Sequence, residues 1–222
     1  MERLNPLHTQ LACRLCLVRH GETSWNVERR LQGHLDIPLN DNGRAQAVNT
    51  ARHLRTLDFD AIYSSDLQRA WHTAGAIAAH APHPVRPEPR LRERHYGIFQ
   101  GLTYDEAAAR HPEAYARFKG RDLEHPIPGE GESLADFADR VNAALTQIAR
   151  HHRGQQVLVV THGGVLDIAH RLAAGKPLDS QRDFTIPNAA LNWIEHEAGG
   201  WRLIAWGDES HLLAALDELP NT

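Results

Sequence analysis

Leu15-Cys16-Leu17-Val18-Arg19-His20-Gly21-Glu22-Thr23 opens with four apolar residues in a row and breaks off at Arg, His and Gly. A short apolar run bounded this way reads as a strand buried on both faces, the kind that fills parallel sheets. Ligands of such sheets gather beyond the carboxyl ends of the strands, where Arg19 and His20 stand. Much later Val157-Leu158-Val159-Val160-Thr161-His162-Gly163-Gly164 repeats the pattern. If these two strands are neighbours, two imidazoles and a guanidinium meet over one pocket.

Outward from these runs the pattern alternates. Residues 1–11 form an irregular lead-in, and Glu22 to Leu39 shows no period and reads as a loop. Asn40-Asp41-Asn42 offers an N-cap, after which Ala45, Val48, Ala51 and Leu54 recur at helical spacing. A second strand is expected over 59–63, ending at Ser64-Ser65-Asp66, residues that commonly start helices. An Ala-rich helix follows over 67–81, then an extended stretch around Val85. Residues 103–118 read as a helix interrupted near Pro112, and 119–131 as a loop. Ser133-x-x-Asp136 resembles a capping box for a long helix with Leu134, Phe137, Val141, Leu145 and Ile148 on one face. After the strand to Thr161 come a helix over 165–174 and two strands, 191–196 and 201–206, with Gly199-Gly200 as the hairpin turn. The expectation is an α/β three-layer sandwich: a mostly parallel central sheet, helices on both faces and an antiparallel edge. One domain spans 1–222, with 91–133 as a cap over the active face.

The chain has 222 residues and a formal charge of -4 with His neutral, so no global field draws it to nucleic acid or anionic membranes. No stretch has the apolar length of a membrane span, and Met1 to Gln10 lacks a signal-like core. The only two cysteines, Cys13 and Cys16, form a C-x-x-C that enters a strand rather than opening a helix. No second pair completes a zinc site, so they read as small buried residues of a protein in a reducing compartment, the cytoplasm.

Arg19, His20, His162 and, just after the second strand, Arg69 surround one hollow in this arrangement. Arg presents planar donor pairs matched to phosphate oxygens, and the helix start after Ser65-Asp66 would add free N–H groups. A dianion, phosphate above all, fits that hollow. The rival is a metal held by His20, His162 and a carboxylate such as Glu93. Two guanidinium groups would repel a divalent cation, and no H-E-x-x-H or H-x-H occurs. His80, His83, His111, His151 and His152, in loops or on polar faces, read as solvated side chains.

Leu17-Val18-Arg19-His20-Gly21-Glu22-Thr23 resembles the signature of the histidine phosphatase superfamily, the phosphoglycerate mutase-like fold. Trp25-Asn26, Gln32-Gly33-x-x-Asp36-x-Pro38-Leu39 and Gly43-Arg44-x-Gln46-Ala47 continue the likeness. So do Ser64-Ser65-Asp66-Leu67-x-Arg69-Ala70 with Thr73-Ala74, Leu91-Arg92-Glu93 with Gly97 and Gly101, Gly131-Glu132-Ser133, and Thr161-His162-Gly163-Gly164. The resemblance implies that His20 is the nucleophile, with its far ring N–H held by a backbone carbonyl and its pKa lowered by Arg19 and Arg69. Arg19, Arg69 and His162 would bind the equatorial oxygens, His162 as a donor whose charge a bound dianion encourages, and Glu93 would be the general acid and then the base. Glu22, Glu88 and Glu106 are competing carboxylates, and Glu132 reads as a helix-start residue. Asn26, Gln32, Gly33, Arg94, Tyr96, Gly163 and the Gly21 backbone would contact phosphate or the group attached to it. No metal or other cofactor is implied.

The same machinery serves a phosphatase or a mutase. Glu93-Arg94-His95-Tyr96-Gly97 is similar to the phosphoglycerate mutases, which use 2,3-bisphosphoglycerate, and Arg110, Arg117, Lys119 and Arg121 would supply charge from the cap for an anionic substrate. Against that, Tyr104 stands where mutases carry lysine, their insertion with paired arginines has no counterpart between Tyr115 and Pro128, and their His-Gly-Asn-Ser is replaced by His162-Gly163-Gly164-Val165. The expectation is a phosphatase of small phosphorylated metabolites. A mutase, or a non-catalytic phosphate-binding regulator on the same scaffold, is the alternative, and a homodimer is compatible with either.

Overall fold

A computed structural model describes residues 12–212, so the lead-in at 1–11 lies outside the described residues. The elements are β1 (Cys13–Arg19), α1 (Ser24–Val27), α2 (Asp41–Leu54), β2 (Ala61–Ser64), α3 (Gln68–Ala78), β3 (Val85–Pro87), α4 (Tyr104–Arg110), α5 (Pro112–Lys119), α6 (Leu134–His151), β4 (Gln156–Thr161), α7 (Gly163–Ala174), β5 (Leu191–Glu197) and β6 (Gly200–Asp208), with 3-10 turns at Pro89–Leu91 and Gly97–Phe99. The sheet runs β3-β2-β4-β1-β5-β6. Its first four strands are parallel, and β5 and β6 are antiparallel to their neighbours. β1 and β4 pair side by side with Arg19 opposite Thr161, so His20 and His162 leave the sheet together. The inserted position of β4, between β1 and β2, makes this end of the sheet a topological switch point.

Leu15, Leu17, Val157 and Val159 point into one apolar layer with α6 and α7; Cys16, Val18, Leu158 and Val160 point into the other with α2 and α3. This is why both strands read as unbroken apolar runs: each face of the sheet is covered. Fully burying one such side chain is worth about 1.5–3 kcal/mol. A third cluster, Leu31, Phe99, Ala107 and Ile127, holds the 91–133 segment together over the loop after β1.

Several expectations shift. α2 buries Gly43, Ala47, Thr50, Ala51 and Leu54, whereas Val48 is 52% exposed and Ala45 also faces solvent. Gly43 sets this rotation: a Cβ there would stand 2.0 Å from the Glu22 carbonyl oxygen, so only the glycine edge of the helix can approach β1. The second strand starts at Ala61, because the Asp60 carboxylate takes the Gln156 N–H at 2.9 Å and breaks the ladder. Ser65 and Asp66 do not cap α3; its N-cap is Leu67, and Asp36 accepts the Gln68 N–H at 2.7 Å from a distant loop. The 22–39 loop contains α1, closed by a capping box between Thr23 and Asn26. The hairpin turn is Ala198-Gly199, and Gly200 already belongs to β6. His152 is buried at 8% exposure between the Tyr63 hydroxyl and Gln155. The break at Pro112 does separate two helices, and Ser133 does cap α6, accepting the Asp136 N–H at 3.0 Å. Cys13 and Cys16 are buried free thiols; burial, with Asp60 adding to it, pushes Cys13 up to about 12. Among the described residues no helix is long and apolar enough to cross a membrane.

Candidate active site

His20 follows β1 directly and is 3% exposed, with its backbone N–H still in the ladder to the Thr161 carbonyl at 2.9 Å. Its Nδ1 lies 2.7 Å from the Gly21 carbonyl oxygen. A carbonyl can only accept, so Nδ1 carries the hydrogen and the neutral ring keeps its lone pair on Nε2. Burial first, then the charges of Arg69 and Arg19, hold this imidazole well below the ordinary 6.5. The Gly21 backbone contributes by holding the ring: its carbonyl takes Nδ1 and its N–H goes to Thr73 Oγ1 at 3.1 Å.

The guanidinium groups are anchored by backbone oxygens rather than carboxylates. Arg69, 1% exposed, donates from Nη1 to the Leu35 carbonyl at 2.9 Å and from Nη2 to the Gly33 carbonyl at 2.8 Å. Arg19 donates from Nη1 to the Ile186 carbonyl at 2.6 Å. Anchoring by neutral carbonyls fixes both side chains while leaving their charge uncompensated. Burial lowers Arg69 to about 10, which still leaves it a cation at neutral pH.

His162 follows β4 as the N-cap residue of α7, fully buried, with its ring centroid 5.2 Å from that of His20. Its Nε2 sits 2.8 Å from Ser65 Oγ, and that oxygen also accepts the Leu67 N–H at 3.3 Å. The hydroxyl can donate to Nε2 while it accepts the Leu67 N–H, the arrangement in which the imidazole hydrogen sits on Nδ1. Burial, Arg69, His20 and Arg19 together hold His162 well below 6.5. The sequence reading makes it a donor that a bound dianion helps to charge; the protein's own groups, burial first, favour the neutral ring, and its Nδ1 has no partner among the described residues. Among the described residues seven buried side-chain polar atoms lack a partner, and Arg19 Nε, Arg69 Nε, His162 Nδ1 and Gln32 Oε1 are four of them. Three of the four are donors from groups beside one another, the pattern an anion site requires.

Glu93 reaches the same place from the segment after the Pro89–Leu91 turn. Its Oε1 accepts the Arg94 N–H at 2.8 Å and its Oε2 the Gly164 N–H at 2.9 Å. Arg140 of α6 clamps the segment through the carbonyls of Arg90 and Arg92, at 2.7 and 3.0 Å, and is itself paired with Glu132. The competing carboxylates are engaged elsewhere: Glu88 with Arg90, Glu106 with Arg30, and Glu22 with Asn40. A Cβ on Gly164 would stand 2.0 Å from Glu93 Oε1. Gly164→Ala is therefore expected to displace the carboxylate and cut kcat/KM on alkyl phosphates about 10²-fold. Wild-type rates in that variant would show that the carboxylate position is unimportant.

Arg19, His20, Asn26, Gln32, Arg69, Glu93 and Tyr96 line one pocket of about 80 Å³, together with Arg30, Leu31 and Tyr104. Asn26 presents only its amide nitrogen, since its side-chain oxygen is taken by Thr23. His162 is fully buried beside His20, and Gly33 acts through Arg69. Gly163 opens α7 against Arg19; a Cβ there would meet Arg19 Nε at 3.5 Å. Tyr96 also lines an adjoining hollow of about 250 Å³, and Arg94, expected at the phosphate, lines that hollow and not the phosphoryl pocket. Unforeseen from the sequence were Arg140, Ser65, Ile186 and Asn188, whose Nδ2 holds the His20 carbonyl at 2.9 Å. Among the described residues no group of three or more His, Cys, Asp or Glu is placed to hold a metal ion.

The two depressed imidazoles set an acid limit on stability. Below pH 6.5 the unfolded chain takes up protons that folded His20 and His162 refuse, so folding weakens as pH falls. Each contributes up to about 1.4 kcal/mol per pH unit over that window. The thermal midpoint should fall between pH 7 and 5, and less steeply in a His20→Ala/His162→Ala variant. Equal slopes would mean that both rings are protonated in the folded state.

Residues 15–209 match the model of the histidine phosphatase superfamily, branch 1. The chain is 43% identical over 201 residues to phosphoglycerate mutase-like protein 4 of Arabidopsis thaliana, spanning 89% of this chain and 86% of that one. It is also 43% identical, over 205 residues, to the metal-independent phosphoserine phosphatase of the same plant, covering 89% and 82% of the two chains. The solved structure of Bacillus stearothermophilus YhfR superposes with a TM-score of 0.83 at 36% identity, over 90% of this chain and 99% of that one. A buried neutral histidine between two carbonyl-anchored arginines, on a sheet of this order and with relatives this near, leaves one assignment: the chain belongs to the histidine phosphatase superfamily.

Proposed function

We propose that the chain is a metal-independent phosphatase of small phosphorylated metabolites that works through a phosphohistidine at His20. The observation that carries this reading is the Nδ1 contact to the Gly21 carbonyl, which leaves Nε2 as a neutral nucleophile among cations. Nε2 attacks phosphorus as the ester P–O bond breaks; Arg19, Arg69 and the Nδ1–H of His162 bind the equatorial oxygens. Glu93 gives its proton to the leaving alkoxide, then takes one from the water that opens the phosphohistidine. Asn26, Gln32 and Tyr96 border the bound phosphoryl group. Residues 91–133 cap this face, within a single domain.

Hydrolysis is favoured over mutation of phosphate position by Gly164 and Tyr104. An Asn at 164, as in the mutase motif, would place its Cβ against Glu93, and Tyr104 lines the pocket where the mutases carry lysine. Every group named comes from one chain, so a monomer and a homodimer serve equally. The buried thiols of Cys13 and Cys16 suit the reducing cytoplasm. The test is turnover of an aryl phosphate and a panel of phosphorylated metabolites in the presence of a chelator, with and without 2,3-bisphosphoglycerate. Phosphate release without bisphosphoglycerate is expected. Isomerisation that needs it would make the protein a mutase, and no turnover at any pH from mildly acidic to neutral would make it a phosphate-binding regulator.

A further inference from the structure

The hollow of about 250 Å³ beside the phosphoryl pocket shares Tyr96 and Tyr104 with it and borders Gly164, against which Glu93 rests. A leaving group protonated by Glu93 would occupy this space. Its wall carries four cations, Arg94, Lys119, Arg121 and Arg182, against one carboxylate, Asp167. That carboxylate is 3% exposed and already saturated. Oδ1 accepts from Arg182 Nε at 2.9 Å, while Oδ2 accepts from Arg121 Nη2 at 2.7 Å and from Arg171 Nε at 3.1 Å.

This arrangement has two consequences. Asp167 fixes Arg121 and Arg182 without neutralising the wall, and Arg182 is steadied further by the Phe184 ring, 5.9 Å from its guanidinium carbon. Arg182 is held through Nε, and its two Nη groups have no partner among the described residues, which leaves a planar fork of the kind that matches a carboxylate. Conversely, a ligand ammonium entering the hollow meets like charges, and among the described residues that line it the one carboxylate, Asp167, is already saturated. Arg94 adds to the field rather than cancelling it, since its Nε and Nη2 both go to the Glu132 carbonyl oxygen.

We propose that this hollow selects phosphomonoesters whose alcohol carries a second anionic group, a carboxylate above all, with no ammonium beside it, and that Arg121 and Arg182 are the specificity-determining pair. The proposal rests on the phosphatase reading. It separates this chain from an enzyme for phosphoserine, the substrate named for one of its 43% identical relatives.

Three matched esters test it: 3-phosphoglycerate, glycerol 3-phosphate, which lacks the carboxylate, and O-phosphoserine, which replaces the hydroxyl by an ammonium. The wild-type kcat/KM should favour 3-phosphoglycerate over each of the others by about tenfold or more, the size of one charge-assisted contact. Arg182→Gln and Arg121→Gln should bring the ratio to glycerol 3-phosphate toward one. Arg182 has a side chain 45% exposed, so its variant keeps the core, and a thermal melt checks the Arg121 variant. A wild-type ratio near one, equal or better use of phosphoserine, or a ratio unmoved by both variants would overturn the proposal while an aryl phosphate is still hydrolysed. If no ester turns over, the phosphatase reading itself fails. Calorimetric affinities of the His20→Ala variant for 3-phosphoglycerate and glycerol 3-phosphate then decide the hollow alone, a tenfold preference supporting it and equal affinity refuting it.

Discussion

His20→Ala is expected to lose at least about 10⁴-fold in kcat/KM on every phosphomonoester, aryl or alkyl, while keeping its fold. The loss is this large because none of the other nitrogen side chains around His20 offers a lone pair in its place. Arg19 and Arg69 are cations, and His162 turns its Nε2 to Ser65. The fold should survive on a simple balance. Removing the ring leaves the Gly21 carbonyl without its partner, which costs about 1 kcal/mol. It also removes a buried imidazole held neutral against its tendency to protonate, a gain below pH 6.5. Circular dichroism and a thermal midpoint near the wild-type value check the fold; near-normal turnover would refute the assignment of the nucleophile.

Glu93→Gln should divide substrates by their leaving groups. The amide preserves volume, but its NH₂ end must face either the Arg94 N–H or the Gly164 N–H, both of which now point at carboxylate oxygens. It cannot give up a proton to a departing alkoxide. Alkyl phosphates should lose about 10²–10⁴-fold in kcat/KM, and aryl phosphates, whose phenolate leaves unassisted, much less. Since kcat/KM reports steps through formation of the phosphohistidine, aryl esters should show a burst as the water step becomes limiting. Equal losses in both classes would place the acid on another residue.

What the sequence discloses here follows from how local each signal is. β1 and β4 are readable because both faces of each strand are buried, so their apolar runs are unbroken, and Arg-His-Gly and His-Gly-Gly end them at the same edge. The rotation of α2 is not readable from apolar periodicity: Val48 fits the period, but the close approach of Gly43 to Glu22 decides which edge faces inward. The capping of α3 by Asp36 spans 32 residues, and the hold of Ile186 on Arg19 spans 167. Such contacts leave no trace in spacing, because each is a lone polar atom whose partner is supplied by the fold. Arg140 is hidden for the same reason, one of two arginines on a helix whose apolar stripe and N-cap are the visible patterns. The protonation state of His162 likewise depends on Arg69, Arg19 and His20 converging, which only three dimensions show.

Trapping the intermediate tests the central claim most directly. Enzyme mixed with a labelled aryl phosphate, quenched in alkali during the burst of Glu93→Gln and mapped by peptide mass spectrometry, should carry one phosphoryl group on His20, labile to acid and stable to base. Phosphate found on another residue, or turnover with no phosphorylated enzyme at any time, would contradict it.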